Sequence, residues 1–300
     1  MGKAVLGVIG GSGFYKMEAL EGAEQLELST PFGPPSDVYY RGRIGEAEMV
    51  FLARHGRGHR LSPSNINSRA NIYGMKILGV EYLVSVSAAG SMKEELAPGD
   101  LVVADQFIDR TYRRPSTFFD NGIVVHVTLA DPVCHGLSKL LGEAGRAAGA
   151  RIHQGGTYLC VEGPQFSTRA ESALYRSWGT DVISMTAVQE ARLAREAEFC
   201  YAALALVTDY DCWHQSQKDV DVLDILRVLQ QNVATAQKAI VNLARQLPRH
   251  VRQCQCASAL KDAILTDRSV IPQTVAHDLS PLIGNYLLDT PMTADRGWRR

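Results

Sequence analysis

Short apolar runs alternate with amphipathic stretches through nearly the whole chain. Residues 4–9 read as a strand that passes into Gly10-Gly11-Ser12-Gly13. Runs at 49–53, 82–87, 101–104, 157–161 and 202–207 have the length of buried strands, and each gives way to small or polar residues. Between them, 63–78, 132–148, 168–178 and 188–198 fit helices, with Pro63-Ser64 marking a start. In 222–247, Val222, Leu226, Leu229, Val233, Ala236, Ile240 and Leu243 recur every four and three residues, which predicts one long helix with a single buried stripe. Strands alternating with helices predict an α/β fold with a largely parallel or mixed sheet. Residues 249–288 read as more polar, helical packing elements of the same domain (1–288), and 289–300 as a frayed tail.

Composition narrows the function classes. The 300 residues are 46% hydrophobic and 21% charged, enough for a core of ordinary size. A formal net charge of -1 gives no basic surface of the kind nucleic acid requires. No run approaches a membrane span, so no membrane partner is expected. One positive charge precedes the first strand, without the apolar stretch and cleavage site of a signal peptide; the expected location is the cytoplasm. The six cysteines are scattered and read mainly as buried thiols. Cys254-Gln255-Cys256 reads as free thiols or as a redox pair; metal binding needs more ligands than this pair supplies, and no metal is expected.

Chemistry concentrates where strands end. Thr208-Asp209-Tyr210-Asp211-Cys212-Trp213-His214 follows the 202–207 run. Desolvated carboxyls there titrate high and can donate hydrogen bonds, as recognition of a purine edge requires; the alternative is a turn with both acids on backbone amides. Gly10-Gly11-Ser12-Gly13 fits an anion cradle or a tight turn, and lacks the GxGxxG spacing of a dinucleotide fingerprint. A dinucleotide enzyme would also need a ribose-binding acid about twenty residues on, where Glu27 stands near the position. Arg54-His55-Gly56-Arg57-Gly58-His59 offers a guanidinium fork and close backbone approach to an anion; a solvated basic loop and a zinc site are the other readings. Ser87-Ala88-Ala89-Gly90-Ser91 fits either exposed amides for an anion or close packing. In Glu162-Gly163-Pro164-Gln165-Phe166-Ser167-Thr168, Phe166 is placed to stack on a planar ring, and Ser167 or Thr168 to cap a helix. With no GxxxxGK[ST], free orthophosphate is the expected anion.

In this order, the segments resemble the trimeric purine nucleoside phosphorylases, and within them the branch that cleaves 5′-methylthioadenosine. Thr30-Pro31-Phe32-Gly33, residues 105–111 and Met185-Thr186 complete the set, which spans roughly residues 4–288. The resemblance implies a phosphorylase fold, a central mixed β-sheet surrounded by α-helices, and a homotrimer. It implies phosphate held by Ser12, Arg54, His55, Ser87, the Ala88 amide and Thr186. Met185 would lie under the ribose and Phe166 and Ser167 against the purine, with Asp209 facing N7 as the catalytic acid and Asp211 facing the 6-amino group. Val222, Ile225 and Leu226 would line a 5′-methylthio pocket, and His126 would reach a neighbouring subunit's ligand. Orthophosphate is then a co-substrate, and no cofactor is expected. Ser184 stands where the family usually has Asn, which weakens a base or ribose contact there; Gln189 replaces a common proline, with an effect expected only at the start of the next helix. A non-catalytic nucleoside-binding protein is the rival from another class, and a complete phosphate set argues against it.

Overall fold

The computed structural model describes residues 4–214 and 222–288, without the side chains of 222–225 and 288. Two strand-rich stretches come first: β1 (Val5–Gly10), β2 (Glu21–Leu26), β3 (Tyr39–Ile44) and β4 (Ala47–Ala53), then α1 (Ser68–Ile77) and β5 (Tyr82–Ser91). Next come β6 (Leu101–Ala104), β7 (Gln106–Arg110), α2 (His135–Ala147), β8 (Ile152–Gln154), β9 (Thr157–Val161), α3 (Arg169–Ser177), β10 (Val182–Ser184), α4 (Ala187–Glu196) and β11 (Cys200–Tyr210). The long α5 (Val222–Gln246) is followed by α6 (Gln273–Asp278) and α7 (Ser280–Leu288). The strands join one mixed sheet, as expected of the α/β class. β1 runs parallel to β4 and β5, and β11 is parallel to β5 but antiparallel to β6.

The apolar runs are buried on both faces because helices cover both. On one face Leu6, Val8, Phe51 and Leu204 meet α2 and the α5 stripe at Leu229, Val233, Ala236, Ile240 and Leu243. On the other, Ile9, Leu52 and Leu83 meet α1, α4 and α7. Each fully buried side chain of this kind contributes about 1.5–3 kcal/mol.

Two features of β5 create the site. Its first half pairs with β1 through Val86, and its last two residues pair antiparallel with β10. Along that edge, residues 87–89 lie between the two ladders, and the sheet opens there. On the other edge, the β5–β11 register shifts between Val207 and Asp209, a bulge at Thr208. Such a bulge re-aims the side chain that follows; β11 therefore runs on through Tyr210 instead of ending at Val207.

Other boundaries differ from the pattern for local reasons. The helix expected from Pro63 starts at Ser68: Pro63–Asn65 forms a separate 3-10 turn, Ile66 is extended, and the Asn67 side chain caps the Ala70 amide. α2 begins at His135 because the extended Cys134 donates its N–H to the Tyr201 carbonyl at 2.7 Å. Thr168 caps α3 in a reciprocal pair with Glu171. β2 escaped the pattern because its residues are exposed or half-buried and do not alternate. Residues 249–288 combine short 3-10 turns with α6 and α7, and bury Leu260, Ile271, Leu279, Leu282 and Ile283. The expected tail, 289–300, lies outside the described residues.

Candidate active site

A cavity of about 330 Å³ opens where the sheet parts. Its walls include Ser12, Arg54, His55, Ser87, Ala88 and Thr186 from the expected phosphate set, and Phe166, Ser167, Met185, Asp209, Asp211 and Leu226 from the expected nucleoside set. Val222 and Ile225 begin α5, but their side chains lie outside the described residues. His126 is not brought to its own chain's cavity. It is exposed, and its N–H is bonded to the Ala263 carbonyl.

Arg54 departs from the open fork that its place after a strand suggests. It is 0% exposed, and Nε and Nη2 bind Glu190 at 2.6 and 2.9 Å. Nη2 also donates to Ser85 Oγ at 2.7 Å, and Nη1 to the Val86 carbonyl at 2.8 Å. Of the five N–H donors of a guanidinium, these bonds take four, and the second on Nη1 makes none among the described residues. Burial works against the Arg54 charge, and the Glu190 carboxylate more than offsets it, so its pKa is raised. Gly11 allows this packing: a Cβ there would lie 2.6 Å from Nη1. The Gly10-Gly11-Ser12-Gly13 turn is thus both a close approach and a wall of the cavity. The next regular element is β2, not a helix, which removes the dinucleotide reading.

His55 is buried, and its Nδ1 lies 2.8 Å from the Leu61 carbonyl. A carbonyl only accepts, so Nδ1 carries the proton and Nε2 is the acceptor. Burial, then the Arg54 charge, lowers its pKa to about 4, so the ring is neutral at pH 7. His59 stacks on it at 4.2 Å and is itself bonded to the Tyr15 hydroxyl at 2.7 Å. Among the described residues this pair is not part of a metal-ligating group, which counts against the zinc reading of the loop.

The wall between Ser87 and α4 is rich in hydroxyls. Ser87 Oγ lies 3.0 Å from the Tyr158 hydroxyl. Thr186 is the N-cap of α4, yet its side chain makes no capping bond, which leaves the hydroxyl for the cavity beside a helix N-terminus. Ser184 donates to the Ala88 carbonyl at 2.6 Å, so its hydroxyl is engaged with the β5 edge. Gln189 reaches further than expected. It is buried inside α4 and binds Thr111 Oγ1 at 2.7 Å and Arg114 Nη1 at 3.3 Å. Arg114 in turn donates to the carbonyls of Met185 and Glu162, and so holds both sides of the cavity. Gly163, at φ 66°, lies under Met185; a Cβ would sit 2.3 Å from its sulfur.

At the far end stand the two acids. Thr208 donates to Asp209 Oδ1 at 2.5 Å, and Ser172 donates to Asp211 Oδ2. Burial pushes the Asp209 pKa up to about 6; the Thr208 bond opposes the rise and the Asp211 charge adds to it. Burial likewise raises Asp211, against its bond from Ser172. Asp209 is therefore not a turn residue bonded to a nearby amide, while Asp211 also accepts from the Cys212 amide; both line the cavity with an elevated proton affinity.

Glu190, Arg114 and Tyr158 were missed from sequence. The signal for Glu190 was an acid on the small-residue stripe Ala187, Ala191 and Ala194, where a lone carboxylate needs a buried partner. Arg114 carried no such signal.

The family model for the phosphorylase superfamily matches residues 5–245. The chain belongs to the phosphorylase superfamily. It is 56% identical over 284 residues to an S-methyl-5′-thioadenosine phosphorylase of Geobacter sulfurreducens, covering 94% of this chain and 99% of the relative. A methylthioadenosine phosphorylase from an Antarctic soil metagenomic library superposes with a TM-score of 0.89 at 43% identity, over 93% of this chain and 99% of the other. A variant of an adenosine/methylthioadenosine phosphorylase of Schistosoma mansoni, solved with methylthioadenosine, gives 0.79 at 31% identity, over 94% and 98%. Among the described residues no helix is long and apolar enough to cross a membrane.

Two outcomes follow from the electrostatics. Arg54→Ala leaves Glu190 buried without its cation, and denaturant unfolding should show a loss of about 3–5 kcal/mol; a variant as stable as the parent would contradict the pairing. Asp209 has a folded pKa near 6 against about 3.9 unfolded. A raised carboxyl pKa gives stability that is present below the unfolded value and is lost as pH rises through the folded one. Asp209→Asn should therefore melt at or above the parent's Tm at pH 8, and the difference should shrink toward pH 5. A Tm lowered equally at both pH values would remove the desolvation argument.

Proposed function

We propose that the chain catalyses phosphate-dependent cleavage of S-methyl-5′-thioadenosine to adenine and 5-methylthioribose 1-phosphate. One observation carries this reading: a single cavity holds a hydroxyl-lined anion end at Ser12, Ser87 and Thr186 and a pair of high-pKa acids at the other. The names of the relatives support it independently.

Each residue has a task in the reaction. Phosphate sits at Ser12, Arg54 Nη1, Ser87, the Ala88 amide and Thr186, with neutral His55 offering Nε2 as acceptor to the phosphate's own hydroxyl. Met185 packs under the ribose, and Phe166 and Ser167 contact the purine. As the bond between C1′ and N9 breaks, its electrons pass to the base and the sugar becomes cationic. Protonated Asp209 gives its proton to N7, and a phosphate oxygen bonds to C1′. The hydroxyl proton that phosphate loses on esterification balances the one that adenine gains. Asp211 accepts from the 6-amino group. Leu226 offers hydrocarbon to the 5′ substituent, with Val222 and Ile225 beside it on the helix. A broader phosphorylase that also takes adenosine is the second reading, favoured by the double name of the Schistosoma mansoni neighbour. We place the enzyme as a homotrimer, with His126 lent to the adjoining subunit's site.

Adenine release from methylthioadenosine should require orthophosphate; equal release without it would mean hydrolysis and overturn the proposal. Asp211→Asn should shift the adenosine-to-inosine ratio of kcat/KM toward inosine by ten- to a hundredfold, since a hydrogen bond to a charged group is worth ~1.5–3 kcal/mol. An unchanged ratio would remove Asp211 from base recognition. His126→Ala should lower kcat/KM for adenosine, whose 5′-hydroxyl can bond an imidazole, more than for methylthioadenosine. Equal effects on the two would place His126 outside the site.

A further inference from the structure

Cys254 and Cys256 are joined in space by two cysteines from distant parts of the chain. Cys134 is the N-cap of α2, and Cys200 is the first residue of β11. All four sulfurs lie within 4.8 Å of one another, with Cys200 and Cys254 at 3.3 Å. The Cys254-Gln255-Cys256 pair thus gains the two ligands that sequence alone denied it. Tetrahedral zinc bound by four thiolates at about 2.3 Å needs sulfurs roughly 3.8 Å apart, within the spread seen here. None of the four lines the cavity.

The surroundings suit thiolates. Cys134, Cys200 and Cys256 are buried, while Cys254 is half-buried and gives a route from solvent. Two guanidinium groups face the cluster. Arg195 Nη1 is 3.9 Å from Cys256 Sγ. Arg252 donates from Nη2 to the Glu198 carbonyl, and its Nε is buried with no hydrogen-bond partner among the described residues. Four thiolates around one divalent ion leave a net negative charge, which these cations offset.

We propose that Cys134, Cys200, Cys254 and Cys256 form a structural four-thiolate site for a soft divalent cation such as zinc. The location gives such a site a purpose. The chain leaves α5 at Gln246 and runs through short 3-10 turns before α6 at Gln273. A metal at the C-x-C pair would fasten this irregular segment to the N-terminal ends of α2 and β11. It departs from the sequence-based expectation that the chain holds no metal.

The test uses the full-length protein purified under reducing conditions without chelator. Elemental analysis should find one zinc ion per chain. Cobalt exchange should give the visible and near-ultraviolet bands of tetrahedral thiolate ligation. A strong chelator should lower Tm by more than about 5 °C, the scale for losing a bound ligand at a hundred times its Kd. The double variant Cys254→Ser/Cys256→Ser should retain less than a tenth of the zinc. Should that variant fail to fold, thiol counting on the unfolded parent decides. Six reactive thiols with no metal, or two disulfides by non-reducing mass spectrometry, would overturn the proposal, as would zinc fully retained by the double variant.

Discussion

A guanidinium sealed from water holds two strands and a helix together. From the end of β4, Arg54 binds Glu190 in α4, the Ser85 hydroxyl and the Val86 carbonyl of β5. Its own backbone N–H is bonded to the Gly10 carbonyl at the end of β1. These are the elements that border the gap in the sheet. The pair fixes α4, whose start carries Met185 and Thr186, against the strand that carries Ser87 and Ala88. Charge burial of this kind contributes little net stability beyond an apolar substitute, but removing one partner is costly. The pair therefore ties the two walls of the cavity to each other, and Arg54 lines that cavity beside them. Preorganised donors are worth most where water is excluded.

The opposite end of the cavity works by withholding stabilisation. Among the described residues no cation is paired with Asp209 or Asp211; each accepts from one neighbouring hydroxyl, and Asp211 also from Cys212. Desolvation therefore governs both, and Asp209 titrates near 6 instead of in the ordinary carboxylate range. The folded protein accepts a poorly solvated carboxyl, whose raised proton affinity lets it hold a proton closer to neutral pH than an ordinary aspartate can. The rigid paired arginine and the underserved acids divide the labour: one end orders an anion, the other supplies a proton.

Much of this was legible in residue order. The strand ends, the long α5 stripe and the Gly, Ser and Arg clusters mark the cavity, because buried strands are apolar runs and their ends are punctuated by polar residues. What escaped depends on pairing between distant segments. The gap in β5 arises because β1 stops pairing at Val86 and β10 resumes at Gly90; neither event leaves a periodic trace. The bulge at Thr208 that turns Asp209 inward is a register shift, invisible along one strand. Arg54 was found and its surroundings misjudged, since its partner lies 136 residues away. Arg114 holds Met185 from a loop with no pattern at all. The cysteines show the same limit: four scattered thiols become one cluster only when α2, β11 and the segment after α5 meet.

The proposed reaction requires Asp209 to hand a proton to N7 of the departing base. It is tested most directly by comparing Asp209→Asn with the parent on methylthioadenosine and on its N7-methylated counterpart. The methylated base already carries its positive charge and leaves without a proton. Proton donation predicts that the variant loses about 10²-fold or more in kcat on methylthioadenosine and far less on the methylated substrate. An equal loss on both would contradict proton transfer and leave Asp209 a positioning group.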